Sequence, residues 1–325
     1  MNNSRFLKCL LILAIAIGLH TTLRGLSSAL KESNPVSTPA IEEPLPAPTL
    51  PRKQVVFFDD LPPMTSSFSI PEELKIPVDF WVKVYSQYTT HQAILHDSEN
   101  LALQYGVLDF TAVDNSALSD EQKKEFREKK IIDAKEKFQS EKGTEGIRAQ
   151  FGLKDRFEEG LRISEKYLPH FERIFEGYGV PSEITRLVFV ESLFQQKSMS
   201  KVGAAGLWQF MPSTAKLYIT VNRLVDERYD PFKATHAAAR LLLKNYQLLG
   251  SWPLAINAYN SGPGNMQKAI ERLGTHDITK IIRDYRSSSY AFASRNFYPS
   301  FLAAKHVYDN QKKYFGHTTT EEPFQ

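Results

Sequence analysis

The chain has 325 residues, with 40 Lys plus Arg against 37 Asp plus Glu, 42% hydrophobic side chains and a single cysteine. That size and apolar content suit one large domain or two modest ones. The 21 Phe, 14 Tyr and 3 Trp exclude disorder throughout, and the lone Cys9 excludes a disulfide scaffold or a four-cysteine zinc site. The net charge of +3 hints at a polyanion binder, but its position removes the hint. Arg5, Lys8 and Arg24 lie in the first 29 residues, which hold no acid; without them, 37 basic residues face 37 acidic ones. No nucleic-acid partner is expected.

Lys8 is followed by an apolar run at 9–19, and Ser27-Ser28-Ala29 supplies small residues. Eleven residues are short for a bilayer span of roughly 20 and suit the core of an export signal. Residues 1–29 are therefore read as a signal peptide, with a retained membrane anchor as the competing reading. Either way the body is exported, to the periplasm or cell envelope. Residues 30–54 contain six prolines from Pro35 to Pro51 and read as an extended linker.

Residues 55–145 give mixed signals and are expected to form an accessory region of mixed or helical structure. Ile76–Tyr88 is aromatic, and its periodicity leaves strand and helix open. Ser119-Asp120-Glu121-Gln122 has the pattern of a capping box opening a charged helix to Lys142. Residues 146–315 read as a mainly α domain of short helices, with 316–325 as a tail. Pro181-Ser182 predicts a helix through Ile184–Phe194, and Pro212 opens another. Asp230-Pro231 places an N-cap and an N1 proline before Phe232–Leu249, which Gly250 ends. Helices are also expected at Trp252–Tyr259, Asn265–Leu273 and Tyr290–Asn310.

Glu191 is the first candidate for chemistry. It sits in Leu187–Phe194, the most apolar short window outside the N-terminal segment, where burial raises a carboxyl pKa. A general acid for glycosidic cleavage needs that environment. An exposed Glu at the edge of an amphipathic helix is the alternative. Gly203 and Gly206 frame small residues and permit close backbone approach to a ligand, or simply a turn. Trp208 offers a face for a sugar or a core side chain, and Gln209 can hydrogen-bond hydroxyls or amides. Asn257-Ala258-Tyr259-Asn260 brings polar and aromatic groups to a helix end. Two-carboxylate glycosidases place acids on both sides of the bond. Ser192–Val225 holds no Asp or Glu, which favours one carboxylate, with Asp226, Glu227 and Asp230 left as distant candidates. The eight histidines lack ligand spacing, so neither a metal nor a cofactor is expected.

Glu191-Ser192, then Gly203–Pro212 (GAAGLWQFMP), then DPFKATHAAARLLL and SWPLAINAYNSGPG together resemble the soluble-lytic-transglycosylase domain, related in fold to goose-type lysozyme. The membrane-bound, D-type branch is the nearest in pattern, over roughly Leu168–Tyr308. The resemblance implies a lysozyme-like catalytic domain. It also implies cleavage of the β-1,4 bond between N-acetylmuramic acid and N-acetylglucosamine of peptidoglycan strands, leaving 1,6-anhydromuramyl ends. Glu191 then matches the acid/base, and Ser192 the residue that supports it. Gly206, Trp208, Gln209, Tyr259, Asn260 and Tyr298 are expected along the glycan. One motif departs: the family's Glu and Tyr before Pro299 are here Ala293 and Phe297, with Tyr298 one position on. That departure leaves open a lysozyme-type hydrolase acting on the same bond. A non-catalytic glycan-binding envelope protein is the third reading. Oligomeric state is not readable from the sequence.

Overall fold

The aromatic segment left between strand and helix is helix α1 (Lys75–Ser86). Val78, Phe80, Trp81, Val84 and Tyr85 fall on its inner side and are almost wholly buried. Each such side chain contributes on the order of 2 kcal/mol on leaving water. The computed structural model describes residues 68–142 and 146–316. The expected signal segment with Cys9, the Pro-rich linker, residues 55–67 of the accessory region and the tail from 317 on lie outside the described residues. Among the described residues no helix is long and apolar enough to cross a membrane.

After α1 come β1 (Gln92–Asp97), β2 (Gln104–Asp109), the short α2 (Thr111–Asp114), α3 (Asp120–Lys142) and β3 (Ile147–Phe151). The strands form one antiparallel sheet in the order β2-β1-β3, with Ile94 opposite Val107 on one side and Gln150 on the other. The capping box is formed: the Ser119 backbone N–H donates to Gln122 Oε1 (2.9 Å), and the Gln122 N–H donates to Ser119 Oγ (3.3 Å). Strand β3 was not anticipated beyond Gly146. It is only five residues long, and it follows the expected boundary at 145/146 yet pairs with β1 before it. A run this short is identified by its partner strand rather than by its own period.

The helical body then follows. Helix α4 (Lys154–Gly177) buries Phe157, Leu161, Leu168, Phe171 and Phe175 along one stripe, as a 3.6-residue period requires. The helix expected over Ile184–Phe194 is shorter and split. A 3₁₀ turn at Ser182–Arg186 leads into α5 (Leu187–Glu191), which stops at the glutamate. Leu193 (φ 51°) and Phe194 (φ 60°) then take left-handed backbone, which their own side chains disfavour. Both are about 1% exposed, so core packing enforces what local preference opposes.

Helix α6 (Pro212–Ala215) is a single turn. Asp230 caps α7 (Pro231–Leu249) by accepting from the Phe232 and Lys233 N–H groups, both at 2.9 Å. Gly250 ends that helix in left-handed backbone at φ 74°. Helices α8 (Trp252–Ser261), α9 (Pro263–Leu273), α10 (Ile278–Asp284), α11 (Phe292–Asp309) and α12 (Gln311–Phe315) complete the order. Helix α10 was not expected, whereas α8, α9 and α11 fall within three residues of their predicted limits. The protein is mainly α-helical. Helix α1, from the expected accessory region, packs along α11, and Trp81 Nε1 donates to Asn296 Oδ1 at 3.1 Å inside the core.

Candidate active site

Three segments meet at one cavity of about 430 Å³: the end of α5, the loop from Ala204 into α6, and the end of α8. They bring Glu191, Gln209, Tyr259 and Asn260 together along its wall, and α7 adds Leu241. Among the described residues lining it, Glu191 is the one carboxylate. Its exposure is 8%, and it follows Val190 at the last position of α5. The acids left as distant candidates have other partners. Asp226 is held by Arg228 (2.6 Å), Glu227 by Lys233 (2.5 Å), and Asp230 caps α7.

The loop on the far side of Glu191 is tied down by backbone carbonyls. Arg228 donates through Nη1 to the carbonyls of Gly203 (2.7 Å) and Phe210 (2.9 Å). Ser192 Oγ donates to the Leu207 carbonyl at 2.8 Å, linking the residue after Glu191 to the same loop. Gln209 sits at φ 45°, its Nε2 donating to the Gly206 carbonyl at 2.8 Å. Of the only non-glycine residues with positive φ among those described, Gln209 lines this cavity, and Leu193 and Phe194 follow Glu191 in the chain within the core. Such backbone costs on the order of 1 kcal/mol per residue and collects where a site needs it.

Three of the expected glycan contacts, Trp208, Gly206 and Tyr298, do not line the cavity. Trp208 was read as a possible face for a sugar, but it is fully buried. Its ring stacks on Phe175 (centroids 5.3 Å, 18°) and its Nε1 donates to Thr235 Oγ1 at 2.8 Å. It shapes the site from behind: its carbonyl accepts the Tyr259 hydroxyl at 2.8 Å. Gly206, expected to let a ligand approach the backbone, instead lets the chain approach itself. At φ 76°, a Cβ there would lie 1.9 Å from the Arg228 carbonyl oxygen. Ser192 and Tyr298 are buried and do not line the cavity.

The departing motif lies beside Tyr259. Phe297 is parallel to the Tyr259 ring (6.5 Å, 7°), and Ser294 Oγ donates to Asn260 Oδ1 at 3.0 Å. Burial, with the Glu191 charge adding to it, holds the Tyr259 hydroxyl well above its ordinary range, so it stays a protonated donor. Burial does the same for Tyr85 on α1; a hydrogen bond to Ser300 opposes the shift and the Glu191 charge adds to it. Tyr85 was not singled out from sequence. Nothing local marks it, because only the packing of α1 on α11 brings it near Glu191. Ala204, Phe210, Met211, Thr214 and Leu241 were also missed as lining residues. Among the described residues, no group of three or more His, Cys, Asp or Glu is placed to hold a metal ion.

The family model described as "Transglycosylase SLT domain" matches residues 173–282. The membrane-bound lytic murein transglycosylase D of Escherichia coli (strain K12) is 34% identical over 137 residues, 42% of this chain and 30% of that protein. The chain thus spans under a third of that relative's length. Among solved structures, the 70 kDa soluble lytic transglycosylase from Escherichia coli is 24% identical with a TM-score of 0.37, covering 43% of this chain and 24% of that one. An inactive mutant of the lytic transglycosylase Slt from Pseudomonas aeruginosa is 21% identical with a TM-score of 0.33, covering 46% and 24%. Over residues 173–282 the chain is similar to the transglycosylase SLT domain family.

Proposed function

We propose that this chain is a peptidoglycan lytic transglycosylase, cutting the β-1,4 bond between N-acetylmuramic acid and N-acetylglucosamine, with Glu191 as its single acid/base. The observation that carries the reading is one 8%-exposed carboxylate facing a cavity whose other polar lining comes from Gln209, Tyr259, Asn260 and Thr214. A leaving oxygen needs a proton from a carboxyl placed beside it, and Glu191 is the one carboxylate in this cavity wall among the described residues. Glu191 gives its proton to the glycosidic oxygen as the bond to the muramyl anomeric carbon breaks. The resulting carboxylate takes the proton of the muramyl 6-hydroxyl, whose oxygen closes on that carbon. The product is a 1,6-anhydro end, and Glu191 is again protonated without water being consumed. Gln209 and Asn260 hold the glycan, and Tyr259 keeps its hydroxyl proton beside the acid. Ser192 supports the glutamate by anchoring the loop opposite it.

The domain reading carries over as part of the proposal: an exported signal or anchor over 1–29, a linker over 30–54, and an envelope location where peptidoglycan is the partner. No cofactor or metal enters the scheme. A second reading has its own observation. Phe297 lies against Tyr259 where the family pattern has a tyrosine, so one hydroxyl is missing beside the reacting sugar. That loss favours water as the acceptor, which makes the enzyme a hydrolase of the same bond. Mass spectrometry of the released muropeptides separates the two: 1,6-anhydro ends support the transglycosylase, and reducing ends alone the hydrolase.

A further inference from the structure

A second polar cleft, of about 830 Å³, lies where the sheet meets the segment entering α11. Three guanidiniums line it: Arg148 from β3, Arg286 from the connection between α10 and α11, and Arg295 from the start of α11. One carboxylate lines it, Glu99 from the β1–β2 connection. Glu99 is already held, by both Nη atoms of Arg295 at 2.5 Å and by Arg286 at 3.4 Å. Arg148 has no acidic partner among the described residues. Its guanidinium lies 4.5 Å over the Phe292 ring. The Nε atoms of Arg148 and Arg295 are both buried with no hydrogen-bond partner.

The positive charge here exceeds what the protein neutralises. Burial pushes the Arg148 guanidinium below its ordinary range, and the charge of Arg295 adds to the effect. Lys135, on α3, is lowered by burial and then by Arg148. Like charges this close, with the Arg148 guanidinium paired to no acid among the described residues, suit a planar anion that a guanidinium fork can grip at two oxygens. The cleft is joined to the Glu191 cavity through side chains. Tyr290, on its wall, accepts from Asn257 Nδ2 at 2.9 Å, and Asn257 shares α8 with Asn260. Arg295 follows Ser294, which donates to Asn260.

We propose that this cleft binds a carboxylate of the peptide stems carried by the muramic-acid residues of peptidoglycan, so that the enzyme selects strands bearing peptide. The proposal rests on the peptidoglycan reading above. In a peptide-bearing strand each muramyl lactyl carboxyl is taken up in the amide bond to its stem, so the negative charge of such a strand lies on its stems. Arg148 and Arg286 take the carboxylate while Arg295 stays locked to Glu99.

The test uses the full chain with Arg148→Gln and, separately, Arg286→Gln, whose side chain is half exposed and tolerates exchange. KM and kcat are measured on peptide-bearing strands and on strands stripped of peptide by an amidase. Either variant raises KM about tenfold on peptide-bearing strands, the effect of removing one strong ion pair to the substrate. Its kcat is unchanged, and so are its kinetics on stripped strands. Equal losses on both substrates, or no loss on either, overturn the proposal. Calorimetry of the Glu191→Gln chain with a free stem tetrapeptide needs no turnover and so separates this proposal from the cleavage reading. Saturable binding that Arg148→Gln abolishes supports it. Absent binding, or binding of inorganic phosphate but not of the tetrapeptide, overturns it.

Discussion

Replacing Gly206 by alanine tests how the loop opposite Glu191 is held. The new Cβ would stand 1.9 Å from the Arg228 carbonyl oxygen. Real Cβ contacts stay beyond 3.0 Å, so one backbone must retreat by at least about an ångström. Two costs combine. Left-handed backbone at φ 76° costs an alanine about 1 kcal/mol relative to glycine, and overpacking against backbone adds about 1–3 kcal/mol. The total of about 2–4 kcal/mol shifts the melting temperature by roughly 5–12 °C for a body of this size. Gly203→Ala isolates the first part, because Gly203 has φ 88° with nothing within 4 Å of a new Cβ. It should cost only the conformational part, about 1 kcal/mol. Denaturant midpoints of both variants provide the assay. Because Arg228 also holds the carbonyls of Gly203 and Phe210, cell-wall turnover by folded Gly206→Ala should fall as well. If Gly206→Ala proves no less stable than Gly203→Ala, the close approach at Arg228 does not hold the loop and the reasoning fails.

Three further outcomes follow. His96 is 1% exposed, and burial lowers its pKa from 6.5 to about 4, the Asp97 carbonyl partly opposing this. The unfolded chain therefore binds the proton first: stability is full above about pH 6.5, falls by roughly 2–3 kcal/mol as pH drops towards 4, and is flat below. Urea midpoints at pH 7.5 and 4.5 should show that loss in the wild type and much less of it in His96→Gln; an equal loss in both would refute the assignment. Trp81→Phe removes the donor to Asn296 and leaves its Oδ1 buried and unpaired, which costs about 1–3 kcal/mol by thermal melts. Asn296→Ala added to Trp81→Phe should cost much less than the two single losses combined, and strict additivity would show that the pair is not coupled. Thr235→Val, which strips the partner of Trp208 Nε1, should destabilise by about 1–2 kcal/mol without changing KM, because the indole faces the core. A raised KM with unchanged stability would return Trp208 to the glycan.

Where local chemistry decides, the sequence was readable. Asp230 and Pro231 start α7, Gly250 stops it, and Ser119 with Gln122 caps α3, each by bonds among residues a few positions apart. The cavity was readable for the same reason, since Glu191, Gln209, Tyr259 and Asn260 stand in short motifs at element ends. What escaped depends on residues far away in the chain. Leu193 and Phe194 bend into left-handed backbone because a packed core holds them, so the helix ends at Glu191 and not at Phe194. Trp208 carries the same motif wherever it points, and only Phe175 and Thr235 decide that it points inward. Tyr85 and α1 reach the site through α11, more than 200 residues on, as the Trp81–Asn296 bond shows. Strand β3 is visible only through β1.

The central claim is that one buried carboxylate carries the bond cleavage. Glu191→Gln keeps the size of the side chain and removes the proton it gives and takes, so the fold should persist by circular dichroism. Turnover of purified peptidoglycan, followed by mass spectrometry of the released muropeptides, should fall by a factor of about 10²–10⁴ from the loss of acid/base catalysis. The wild type should release 1,6-anhydro ends. A folded Glu191→Gln chain that releases the same products at the wild-type rate would contradict the account.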